Sequence, residues 1–472
     1  MNAVVQATRR LGALPHPPAW PLVGSLPSLD PPRVHLIFEA WAGRFGTPYR
    51  VHLGRRWMLV IDDAAEIQRI LKARPGAFRR VRPVESIFRE LGIAGLFSSE
   101  GEDWERQRRM VMRAFDPAHL KRYFPTLGQV TRRLLERFRR AADAGEVLDL
   151  QQEFMRYTVD VTAGLAFGVD MNTIEHGEDA IQHHLDAVFP AINRRMTAIF
   201  PWWRHVKLPG DRALERDLAA VRSAIDAFVS GARARMATRP DAQADPNNLI
   251  EALIAARDTP GAGFTDTDVT GNVFTALLAG EDTTANTLAW LAWFLAEHGD
   301  AQARAHDEAA RVLAGAEVLE DFSRVDDLAY ISAATREAMR LKPVAPMLTH
   351  ESNEPVTVCG IELRARTPVA TLMRLPGLDP TLFPEPQAFR PERWLSVDVA
   401  GNDDSAARRA LMPFGGGPRF CPGRYLALLE ISMVTSMLVR HFRIESVGPQ
   451  PVRERNALSM FPEGFRARLT RR

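Results

Sequence analysis

The chain has 472 residues, 46% apolar and 25% charged, with a formal net charge of +2. That balance is ordinary for a globular protein with a large core, and it gives no reason to expect a nucleic-acid partner. Two cysteines, Cys359 and Cys421, exclude a disulfide framework and a cysteine-rich zinc site, and fit a reducing, cytoplasmic compartment.

Met1–Arg10 carries Arg9 and Arg10, but no clean apolar stretch of the kind a secretory signal needs follows them. Leu11–Leu29 is uncharged and long enough to suggest a membrane span. Its prolines, Pro15, Pro17, Pro18, Pro21 and Pro27, would break such a helix, so it reads as a proline-rich extended segment and no membrane anchor is expected. Tyr49–Asp62 alternates around Gly54-Arg55-Arg56 and predicts a β-hairpin. Apolar spacings of three and four predict helices over Glu102–Phe115, Leu127–Asp143, Ala213–Ala237 and Asn248–Arg257, with loops at Pro240–Pro246 and Asp258–Gly263. Asp266–His298 is apolar on nearly every face and should run through the core. Val356–Ala370 returns to strand alternation with a turn at Cys359-Gly360, and the pattern breaks at Gly401-Asn402. Gly423–Phe442 is helical, and the tail from Pro451 reads as short strands. The expectation is a single domain over 1–472, mainly α with a small β-rich part drawn from both ends.

The strongest local signal is Phe414-Gly415-Gly416-Gly417-Pro418-Arg419-Phe420-Cys421-Pro422-Gly423. Three glycines and a proline make a tight turn that brings one cysteine to the start of a helix, with Pro422 suited to its first position. A helix N-terminus favours negative charge and so stabilises the thiolate. A lone thiolate with Arg419 beside it suits a haem iron and its propionate. A catalytic thiol would need a base nearby, and no histidine lies in the loop. A dinucleotide fingerprint fails because Phe420 stands where its third glycine belongs. Cys359, inside a strand pattern, reads as a small buried hydrophobe.

The segment resembles the haem-binding signature of cytochromes P-450, Phe-x-x-Gly-x-Arg-x-Cys-x-Gly, with Phe414, Gly417, Arg419, Cys421 and Gly423 at its fixed positions. The resemblance runs from the proline segment to the tail. It implies a mainly α, prism-like fold, a b-type haem whose axial ligand is the Cys421 thiolate, and insertion of one oxygen atom from O₂ into a hydrophobic small molecule. The chain ends too soon after Cys421 for a fused reductase, so electrons are expected from a separate protein of the ferredoxin or flavodoxin type.

In Ala279-Gly280-Glu281-Asp282-Thr283-Thr284, polar residues interrupt an otherwise apolar helix. Burying an acid without a partner is costly, which argues against chance placement. Gly280 should leave a small groove, and Thr283 can return its hydroxyl to the Ala279 carbonyl and bend the helix. A hydroxyl and a carboxylate beside a groove suit proton delivery, although Asp-Thr-Thr also commonly caps a helix. The match to the family's oxygen-activation motif implies that Asp282 is the acid and Thr283 the hydroxyl. Glu281 is assigned no role.

Glu337 and Arg340 lie three apart on one helix face, a spacing that alone usually marks a surface ion pair worth about 0–1 kcal/mol. The family's Glu-x-x-Arg pair and its Pro-Glu-Arg segment, here Pro391-Glu392-Arg393, imply instead a buried structural network of Glu337, Arg340 and Arg393. The family's Trp-x-x-x-Arg pattern implies that Trp104 and Arg108 grip a haem propionate. Arg106, Arg109 and Arg113 share that helix and offer a face for an acidic electron donor. Where the family often places a basic residue toward the second propionate, this chain has Met347-Leu348-Thr349-His350-Glu351. His350 is the candidate, with its register open by one residue.

Overall fold

Residues 56–61, Arg-Trp-Met-Leu-Val-Ile, form a strand whose inner residues are buried on both faces, as a near-continuous apolar run requires. In the computed structural model, which describes residues 9–54, 56–115, 117–177, 180–198, 200–261, 263–395, 406–448 and 451–472, this strand pairs antiparallel with Tyr49–Leu53 as the expected hairpin. Arg55 of its turn lies outside the described residues, as do Gly401 and Asn402. On its other edge the strand pairs in parallel with Pro368–Leu372, then Met347–Ser352 and Phe78–Arg80 complete a five-stranded sheet. Leu59 and Ile61 point into a cluster with Ile67, Ile70, Leu71 and Val369. Val60 joins Phe38, Tyr49, Val51 and Ala370 on the opposite face.

The chain divides into two compact units, one comprising Met1–Glu85, Met339–Ala388 and Val397–Cys421, the other Ser86–Ala338, Phe389–Ser396 and Pro422–Arg472. The five-stranded sheet belongs to the first, together with a small sheet of Arg9–Arg10, Ile361–Leu363 and Val356–Val358. In the latter, Cys359 and Gly360 both have positive φ, 48° and 70°, and make the two-residue turn between strands. Cys359 therefore sits in a turn rather than inside a strand, and it packs partly buried against the sheet's core.

The second unit is built on helices. Asp266–Glu297 packs against Leu150–Phe167. Thr265 and Asp268 close a capping box at its start, so Asp282-Thr283-Thr284 lies well inside the helix and is not a cap. The helix expected from Leu127 begins at Pro117 and takes Pro125 inside. Leu150–Phe167 was not foreseen, because it is buried on most of its faces and shows little periodic contrast. The C-terminal strands pair among themselves and with Val147–Leu148, so the β-rich part is not drawn from the two ends alone. The architecture is mainly α with a small β part. No helix among the described residues is long and apolar enough to cross a membrane.

Candidate functional site

The cysteine turn is closed by the Cys421 amide, which donates to the Phe414 carbonyl at 2.9 Å. Gly415 and Gly417 have φ of 71° and 64°, the left-handed region that favours glycine. Space demands glycine at 417 as well, since a Cβ there would lie 2.3 Å from the Leu71 carbonyl oxygen. The turn is thus seated against the end of the Ala64–Lys72 helix. The following helix begins at Arg424 with Gly423 as its N-cap, so Pro422 belongs to the turn before it and not to the first helical position.

His350 lies in the same unit, on the Met347–Ser352 strand, in register with Val369 on one side and Arg80 on the other. It is 1% exposed, and neither ring nitrogen has a hydrogen-bond partner. Burial holds its imidazole well below the usual histidine range, and the positive charges of Arg74, Arg80 and Arg419 push it further down. A neutral histidine with two unsatisfied nitrogens, close to the arginine of the cysteine turn, is a costly arrangement unless a ligand completes it. Arg74 and Arg80 carried no signal of their own in the sequence.

In the helical unit, Trp104 and Arg108 are both buried, one turn apart on Gly101–Ala114. That helix is tied to the long helix through Asn272 Nδ2, which donates to Gln107 Oε1 at 3.1 Å. Arg106 turns to Asp103 and Asp268, at 3.1 and 3.6 Å, and so is already engaged rather than open to a partner. Arg109 is exposed, and the side chain of Arg113 lies outside the description.

Thr283 Oγ1 donates to the Ala279 carbonyl at 3.1 Å, the bond its place in the helix suggested. The space at Gly280 is not a groove, however. A Cβ there would meet Thr162 Oγ1 of the neighbouring helix at 2.5 Å, so the glycine serves close helix packing. Thr284 turns the other way, to the buried carboxyl of Glu430. Burial pushes that carboxyl well above its usual range, with the Thr284 hydroxyl drawing it partly back. Glu430 was missed. Its signal was available, for it is an acid set between the apolar run Leu426–Leu429 and Ile431 in Arg424–His441, the same irregularity that marks Asp282.

Glu337 is fully buried. Its Oε1 accepts from Arg393 Nε at 2.9 Å and from the Arg390 amide at 3.0 Å, and its Oε2 accepts from Trp394 Nε1 at 2.8 Å. Arg340, 1% exposed, donates to the carbonyls of Gly377, Pro386 and Ala388 at 2.7, 2.6 and 3.1 Å. Glu337 and Arg393 thus share a cluster with an indole and a backbone amide, and Arg340 binds backbone carbonyls, partners that pairing of charges alone did not suggest.

A mainly α chain that presents one cysteine on a glycine-rich turn defines the haem-thiolate class. The Cytochrome P450 family model matches residues 14–468, and the chain belongs to that family. Among relatives, it is 30% identical to cyclooctatin synthase of Streptomyces melanosporofaciens over 96% of this chain and 95% of that one. It is 30% identical to cyclooctat-9-en-7-ol 5-monooxygenase of the same organism, over 76% and 74% of the two chains. It is 27% identical to the mitochondrial 25-hydroxyvitamin D-1 alpha hydroxylase of Homo sapiens, over 78% and 74%. The protein is a cytochrome P450 monooxygenase that uses haem b on a cysteine thiolate, O₂, a small-molecule substrate and an electron-donating partner.

Proposed function

We propose that this chain is a single catalytic domain that holds its haem through Cys421 and oxygenates a hydrophobic small molecule, in the cytoplasm, with electrons from a separate ferredoxin- or flavodoxin-type protein. The observation that carries the assignment of the haem site is His350. Its two unsatisfied nitrogens, among Arg74, Arg80 and Arg419 in the unit that bears the cysteine turn, form a cationic, donor-rich cradle that suits a carboxylate of the haem. The residues present fit the group.

When bound, a haem on the Cys421 thiolate would supply the activation of O₂. The rest falls to side chains. Arg419 and His350 would hold one haem propionate, and by resemblance to the family Trp104 and Arg108 would offer the other an indole donor and a guanidinium. Phe414, Gly417 and Gly423 shape the turn. Asp282, half-buried, relays protons inward from solvent, and Thr283 holds a proton donor in place. Glu337, Arg340 and Arg393 fix the backbone around Gly377–Trp394 and take no part in chemistry. The names of two relatives, one acting at cyclooctat-9-en-7-ol and one on 25-hydroxyvitamin D, support a small organic substrate.

The test is reconstitution with surrogate ferredoxin and reductase under isotope-labelled O₂, using any compound that changes the ferric spin state. One labelled oxygen per product is expected. Product formed without label, or only with added peroxide, would overturn the reading.

A further inference from the structure

Wholly within the helical unit lies a cavity of about 650 Å³ lined by Glu90, Leu91, Arg195, Trp203, Arg204, Lys207, Glu215, Leu218 and Arg222. Its charges do not cancel. Arg195 pairs with Asp211 at 2.8 Å, Arg204 with Glu90, and Lys207 with Glu215. Glu90 also accepts from Trp203 Nε1 at 3.1 Å. Despite the upward push of burial, these donors keep its carboxyl below the usual range, and so anionic at neutral pH. Each of three cations is therefore matched by one carboxylate.

Arg222 is the exception. Its only described partner is the Leu91 carbonyl, which accepts from Nη2. Room for the guanidinium is made by Gly92, at φ 65°, where a Cβ would come within 2.9 Å of Nη2. A planar group with five donors, one of them spent, is left on the cavity wall with no carboxylate among the described residues. Around it stand Leu91, Leu218 and the indole of Trp203, itself held under Arg195 at 5.1 Å.

We infer that this cavity binds an organic monocarboxylate with an apolar body, its carboxylate on Arg222 and its body against Trp203, Leu91 and Leu218. One uncompensated positive charge asks for one negative charge, and a carboxylate meets a guanidinium edge through paired hydrogen bonds. The volume is that of a small-molecule site rather than of an inorganic ion. The site stands apart from the haem-thiolate reading and would survive its failure.

The experiment is calorimetric titration of the haem-loaded protein at neutral pH with 4-phenylbutyrate and with its neutral counterpart, 4-phenylbutanol. The acid is expected to bind one to one, at least tenfold tighter than the alcohol, and more weakly as salt is raised. Arg222→Gln is expected to weaken the acid at least tenfold while leaving the alcohol, the haem content and the melting temperature unchanged. Equal affinity of acid and alcohol in the unaltered protein would overturn the inference, and that comparison needs no variant to fold. So would no binding of the acid, or acid binding that Arg222→Gln leaves intact.

Discussion

Arg393 Nε donates to Glu337 Oε1 at 2.9 Å, and the carboxylate it holds has no exposed surface. Removing either partner strands the other's charge in the interior. Glu337→Ala is expected to cost about 3–5 kcal/mol, enough to keep haem-loaded protein from accumulating. Trp394→Phe, which deletes one hydrogen bond to the same carboxylate, should cost about 1.5–3 kcal/mol and still fold. Denaturant unfolding of the purified proteins measures both. Wild-type stability in both variants would mean that the network carries no load.

The Thr283 hydroxyl is engaged with the Ala279 carbonyl, yet the proposed role needs it to hold a proton donor. Thr283→Ala should still bind haem, substrate and O₂ and still consume reduced nicotinamide, while a larger share of electrons leaves as hydrogen peroxide. Thr283→Ser should restore coupling. Asp282→Asn should slow turnover instead. The quantities to measure are product and peroxide per nicotinamide oxidised. Unchanged coupling in Thr283→Ala would reduce the hydroxyl to a helix-bending device.

Glu430 is a buried acid whose carboxyl is held well above its usual range. Unfolded, it ionises near a pKa of about 4.3. Above that pH the folded chain keeps a proton that the unfolded chain has lost, so this residue makes stability fall as pH rises. Glu430→Gln should remove that slope, so the variant should gain on wild type as pH rises above the range in which an unfolded glutamate ionises. Parallel stability profiles would show that the carboxyl ionises freely in the fold.

Much of this was readable in the residues, because it rests on local chemistry. The cysteine turn is dictated by glycines and a proline within ten positions of sequence, and the Thr283 back-bond needs only a helix. What escaped depended on neighbours far along the chain. Gly280 looked like a groove until Thr162 of another helix filled it. Arg106 looked like open charge until Asp268 was found beside it. Trp394 and the carbonyl partners of Arg340 could not be inferred from a charge pattern, since backbone acceptors leave no mark in sequence. Leu150–Phe167 was overlooked because burial on most faces erases periodicity.

His350 offers two unsatisfied nitrogens among three arginines. If its single N–H meets a haem carboxylate, His350→Phe should fold but release haem on the order of tenfold faster to an excess of acceptor protein, consistent with the loss of one charge-assisted bond of roughly 1.5–3 kcal/mol. An unchanged release rate would place the propionates elsewhere.

Ligation by the Cys421 thiolate is read from the absorption spectrum of the reduced, carbon-monoxide-bound protein. The unaltered protein should show the strongly red-shifted Soret band of thiolate ligation. Cys359→Ser, which changes the cysteine of the 359–360 turn, should keep that band, and Cys421→Ser should lose it. A red-shifted band that survives in Cys421→Ser, or vanishes in Cys359→Ser, would contradict the assignment.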